Sequence, residues 1–144
     1  MIPRTLLVAT CAFGERLSAP RVASAIARGL EAGGWPADLC PLSPGEPRPE
    51  TVRELLQELD FDARMRAARA LIVGEGQLHE DTLAGSFAFE IATRARQAGV
   101  PAYAVTGRNS LDSFDARILD LQAILQARTA PALEKAGRRL AELI

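Results

Sequence analysis

The sequence predicts a three-layer α/β domain, a parallel sheet of about five strands with helices on both faces. Three observations carry this expectation. Short apolar runs alternate with helical periodicities along the whole chain. Several helices open at Ser or Thr with Pro in the first turn, or close at Gly. The chain has 144 residues, 48% of them hydrophobic, which suffices for one domain with a real core.

The run Thr5 to Ala9 reads as a buried first strand. Ser18 caps a first helix with Ala19, Val22, Ala23, Ile26 and Leu30 on one face, and Gly33-Gly34 stops it. Ala37 to Leu42 is a second strand, and residues 43–49, SPGEPRP, are a loop. A second helix puts Val52, Leu55, Leu56 and Leu59 inward, and a short helical piece from Phe61 to Ala68 follows. Strand three is Ala70 to Val73, ended by a Gly74-Glu75-Gly76 turn, with a helix from Asp81 to Ala98 closed by Gly99. Pro101 to Thr106 is strand four, Leu111 to Leu119 a helix, and Leu121 to Leu125 a fifth strand. Thr129 caps a terminal helix with Leu133, Ala136, Leu140 and Ile144 as its core stripe. Right-handed crossovers favour the strand order 2-1-3-4-5 over 3-2-1-4-5.

The formal net charge of -1, with Lys135 the only lysine, lacks the dense positive surface that nucleic-acid binding needs. Two cysteines, Cys11 and Cys40, are too few for a disulfide framework and read as small buried hydrophobes. The opening MIPRTLLVATCAF runs straight into the first strand, and no apolar run reaches membrane-spanning length. A cytoplasmic protein with no membrane partner is expected.

In the order 2-1-3-4-5, loops 10–17 and 74–81 face each other at the switch point, where such sheets bind ligands. Gly74 and Gly76 leave room for backbone amides to approach a ligand, Gly76 with positive φ, and a following helix start suits a small anion. Any strand-to-helix turn also favours glycine. Glu75 and His79 are the candidate catalytic groups, His79 being the only histidine. Glu80 and Asp81 read equally as complements to a helix dipole. Cys11, near a helix start, is a candidate for a lowered pKa. Arg108, after strand four, can meet an anion, and Thr82 joins Gly74, Gly76, Arg108 and Cys11 as a ligand-binding candidate. No metal site is read from the sequence.

The stretches DFDARMRAARALIVGEGQLHEDTLAG (60–85) and GVPAYAVTGR (99–108) resemble the bacterial two-domain glycerate kinases, which phosphorylate D-glycerate with ATP. VATCAFGERLSAPRVASAIARGL (8–30) is similar to that family's opening strand, loop and helix, and ALEKAGRRLAELI (132–144) to its last helix. The resemblance implies a single Rossmann-like, flavodoxin-like domain over 1–144, in which residues 43–59 replace the family's large inserted second domain. It also exposes departures. Thr10 to Glu15 stand where the family reads Pro-Asp-Ser-Phe-Lys-Gly, so the acid and the lysine are gone. His79 replaces the usual Asp, and Ser86 the usual Lys. Phosphoryl transfer depends on positioned cations and metal ligands, so the resemblance implies the scaffold without kinase activity.

No cofactor is then expected; Mg²⁺ and ATP enter only with retained family binding. The alternatives are a repurposed small enzyme, with Cys11 and His79 in hydrogen-bonding reach, and a self-associating module. The second domain's loss would uncover apolar surface at Trp35, Phe13, Leu17 or Phe87, and a homodimer is expected.

Overall fold

The structure, a computed structural model, describes residues 4–42, 49–80 and 86–144, and their side chains apart from 49–51. In chain order the elements are β1 (Leu6–Thr10), α1 (Ala19–Ala32), β2 (Ala37–Pro41), α2 (Pro49–Glu58), α3 (Phe61–Ala67) and β3 (Ala70–Leu78). They continue as α4 (Phe87–Ala98), β4 (Ala102–Asn109), α5 (Ser113–Leu119), β5 (Leu121–Gln126) and α6 (Ala130–Leu143). The strands form one parallel sheet in the order β2-β1-β3-β4-β5, the favoured topology.

Alternation along β1 builds two cores from one strand. Leu6 and Val8 face α1 and α6, where they meet Val22, Ile26, Leu133 and Leu140. Leu7 and Ala9 face the other layer, with Leu56, Phe61, Met65 and Ile91 from α2, α3 and α4. The caps follow the sequence: the hydroxyls of Ser18, Ser86 and Thr129 accept from Arg21, Phe89 and Ala132 amides. Gly99 closes α4 in the left-handed region at φ 73°. Trp35 and Leu17 are half-buried, while Phe13 and Phe87 are buried, so the expected exposed patch does not form there. The Trp35 indole instead donates to the Ala141 carbonyl (3.2 Å), pinning the end of α6. No helix among the described residues is long and apolar enough to cross a membrane.

Three boundaries differ from expectation. Strand four runs on to Asn109, and α5 begins at Ser113 behind the Asp112 cap. The described part of α4 begins at Phe87 behind the Ser86 cap, whereas the expected start, Asp81, lies outside the described residues. The third difference matters most. Gly74-Glu75-Gly76 is not a turn: β3 continues through it to Leu78, pairing Glu75 with Thr106 and Gln77 with Arg108. Gly76 does not take positive φ.

The glycines answer lateral crowding instead. A Cβ on Gly74 would lie 2.6 Å from Thr10 Cγ2, and one on Gly107 2.7 Å from the Gly76 carbonyl oxygen. Thr10 itself is held by its hydroxyl, which donates to the Ala19 carbonyl (2.9 Å).

On the α1–α6 face the same device recurs between helices. A Cβ on Gly29 would sit 2.7 Å from the Arg138 nitrogen and 2.9 Å from Gly137 Cα, and one on Gly137 would strike the Ile26 carbonyl. Gly137→Ala should therefore lower stability by about 2 kcal/mol, overpacking outweighing the roughly 1 kcal/mol that Ala gains over Gly in a helix. Urea denaturation should show a lower midpoint at unchanged slope.

Candidate functional site

The loop after β1 folds back on itself. The Phe13 amide donates to the Leu17 carbonyl (2.8 Å), and Gly14 sits at φ 66°, a conformation costly for any residue with a Cβ. This loop lies against the end of β3: a Cβ on Gly76 would come within 3.3 Å of the Ala12 carbonyl oxygen. Loops 10–17 and the 74–77 segment thus meet as expected, across a cavity of about 530 Å³. Phe13 and Gly14 line it from the loop, Gly76 and Gln77 from β3, Gly107 and Arg108 from β4, and Arg128 from beyond β5. Arg128 Nε donates to the Gly107 carbonyl (2.9 Å), which anchors its guanidinium at the rim. Among the described residues, two arginines and no carboxylate border this space.

Arg128 did not emerge from the sequence reading. The available signal was its place immediately after a strand at the ligand-binding edge, the same position that singled out Arg108. Gly74 does not line the cavity, because Thr10 occupies the space beside it. Thr82 and Asp81 lie outside the described residues.

A second cavity of about 600 Å³ adjoins the first at Gln77 and Arg108 and is mixed in charge, with His79, Glu80, Asp112 and Asp115 in its lining. Asp112 is committed to capping the Asp115 amide (2.8 Å). Neither Cys11 nor Glu75 lines this cavity. Cys11 is partnered by Glu75. The Cys11 thiol donates to the Glu75 carboxylate, which also accepts from the Gly76 amide. Cys11 is placed by its own backbone, whose amide donates to the Gly74 carbonyl (2.8 Å).

Burial governs both groups. It pushes Glu75 up to about 7, against the lowering pull of its two hydrogen bonds. Burial, followed by the neighbouring carboxylate, pushes the Cys11 thiol up, opposite to the lowered pKa expected from its sequence position. The Cys11 thiol therefore keeps its proton in a hydrogen bond to Glu75 and is not a thiolate nucleophile. Cys40 is also buried with a raised pKa, and neither thiol is in a disulfide. Among the described residues no three His, Cys, Asp or Glu side chains are grouped to hold a metal ion. The arginine-bordered cavity does not fit Mg²⁺, which requires hard oxygen ligands.

The raised Glu75 pKa links stability to pH. Between its usual value of 4.5 and about 7 the folded protein holds a proton that the unfolded chain has lost. Stability therefore falls as pH rises through that window and levels off above it. Glu75→Gln removes this loss, so the variant should gain on wild type between those pH values. A gain on the order of 2 kcal/mol is expected, discounted because Glu75 is only half-buried, and urea melts at both ends of the window measure it.

Comparison with known proteins gives three findings. Solved structures with similar folds include a diflavin flavoprotein A3 from Nostoc sp., at 15% identity and TM-score 0.52, covering 99% of this chain and 94% of that one. An NAD(P)H:quinone oxidoreductase from Methanothermobacter marburgensis aligns at 14% identity and TM-score 0.52, covering 96% and 98%. These likenesses show a flavodoxin-like fold. No curated protein matches the sequence. The family model described as "Glycerate kinase family" matches residues 32–144, spanning β2 through α6. On that match over most of its length, the chain belongs to the glycerate kinase family.

Proposed function

We propose that this chain is a glycerate-kinase-family domain that binds a small carboxylate or phosphate between Arg108 and Arg128 without transferring phosphoryl groups. The observation that carries the reading is the pairing of two guanidiniums at one cavity with no carboxylate among its described lining residues. Arg128 is already oriented by its bond to Gly107, so holding an anion costs it less side-chain entropy. Phe13 bounds the same space from the loop and restricts the ligand's bulk.

The loss of kinase chemistry is read at the loop after β1. Where the family resemblance places an acid and a lysine, this chain has Cys11 and Gly14. A thiol whose pKa is raised and a residue with no side chain offer neither a metal ligand nor a cation to a phosphate. A second reading, a repurposed acid–base enzyme, is favoured by Glu75, whose value near 7 suits proton transfer at neutral pH.

Isothermal titration with phosphate, glycerate, phosphoglycerate, ATP and Mg²⁺ tests the proposal. Arg108→Ala and Arg128→Ala should each weaken anion binding about tenfold or more, as loss of a charge-assisted hydrogen bond demands. ADP formation from ATP, Mg²⁺ and D-glycerate, abolished by Glu75→Ala, would overturn the non-kinase reading. Turnover of another substrate lost in Glu75→Gln, with binding intact, would favour the second one.

A further inference from the structure

The two edges of the sheet are treated differently. On β2, Leu42 donates inward to the Thr10 carbonyl (2.7 Å), so alternation turns the backbone groups of Leu39 and Pro41 outward. Pro41 has no amide to offer. The Leu39 carbonyl accepts from Arg64 Nη2 (2.9 Å), an arginine fixed by a two-pronged bond to Asp38 (2.7 and 3.0 Å). This edge is blunted by a proline and a side-chain cap.

β5 carries neither device. Ala127 donates inward to the Thr106 carbonyl (2.9 Å), so the same alternation turns the amides and carbonyls of Gln126 and Ile124 outward. The strand LQAILQ has no charge and no proline. Its register shift against β4 falls upstream of Ile124, leaving Ile124 to Gln126 regular. Among the described residues no side chain caps these outward groups as Arg64 caps Leu39. Immediately upstream, α5 leaves Phe114 70% and Ile118 38% exposed at a spacing of four residues, on one face of the helix.

We propose that β5 is a docking edge for a second copy of this chain, the two β5 strands pairing antiparallel about a two-fold axis near Ile124. The sequence of the edge suits its own copy. An uncharged strand meets itself without repulsion, and the antiparallel arrangement brings the Asp120 end of one strand to the Arg128 end of the other. The outward backbone groups gain partners, and the joined sheets run to ten strands. Phe114 and Ile118, on the helix that leads into β5, are further exposed apolar area near in sequence to this edge.

Light scattering and hydrogen exchange test this without reference to any ligand. A dimer is expected at high protein concentration, with amide exchange at Ile124 and Gln126 slowing from dilute to concentrated samples. Gln122→Lys, at an exposed β5 position, should weaken the dimer about tenfold with unchanged circular dichroism, whereas Leu39→Lys on the opposite edge should leave it intact. A monomer at high concentration overturns the proposal. So does a dimer in which exchange at Ile124 and Gln126 ignores concentration, or one dissociated by Leu39→Lys in place of Gln122→Lys. If Gln122→Lys does not fold, the exchange measurement on the natural chain decides alone.

Discussion

The ends of β1, β3 and β4 are closer together than side chains allow, and the architecture of the site follows from that constraint. Gly74 yields to Thr10, Gly107 yields to the Gly76 carbonyl, and Gly76 yields to the loop at Ala12. Because these three positions carry no Cβ, β3 and β4 extend past β1 as a paired arm. The β1 loop lies down against that arm and walls the cavity with Phe13. Any larger residue at Gly74 would push β1 away from β3 and open the seam on which Cys11 and Glu75 meet.

The layered fold was legible because its signals are local and agree with one another. Ser18, Ser86, Gly99 and Thr129 act at their helix ends, and the apolar runs became the strands. The Gly-Glu-Gly segment was misread for an identifiable reason. A glycine required by a turn and a glycine required by a neighbouring strand look the same in one sequence. Only the pairing of Gly74 with Thr10 and of Glu75 with Thr106 separates the two cases. The site was half legible. Glu75, Cys11 and Arg108 all lie at the ligand edge, but which of them touch depends on register and twist. The partnering of Cys11 with Glu75 and the anchoring of Arg128 on Gly107 are products of that register.

Glu75 and the two arginines of the first cavity lie at different depths. Glu75 sits deeper, where burial favours its neutral form, while Arg108 and Arg128 stand at the exposed rim. A negative ligand arriving at the rim therefore meets positive charge first and little opposing negative charge beneath it at or below neutral pH.

The packing of α1 against α6 has a consequence for synthesis. Val22, Ile26 and Leu30 are made before the rest of the sheet, yet the residues that cover them, Leu133, Ala136 and Leu140, follow only after β5. Until α6 is made, α1 alone covers that face of the sheet and its own stripe toward α6 stays open, while the opposite face can acquire α2, α3 and α4 as they emerge. That interval lasts several seconds or more at about 5–20 residues per second. During it, a hydrophobic stripe is available to a ribosome-associated chaperone or to a neighbouring nascent chain. The core on this face is therefore closed only when α6 joins α1.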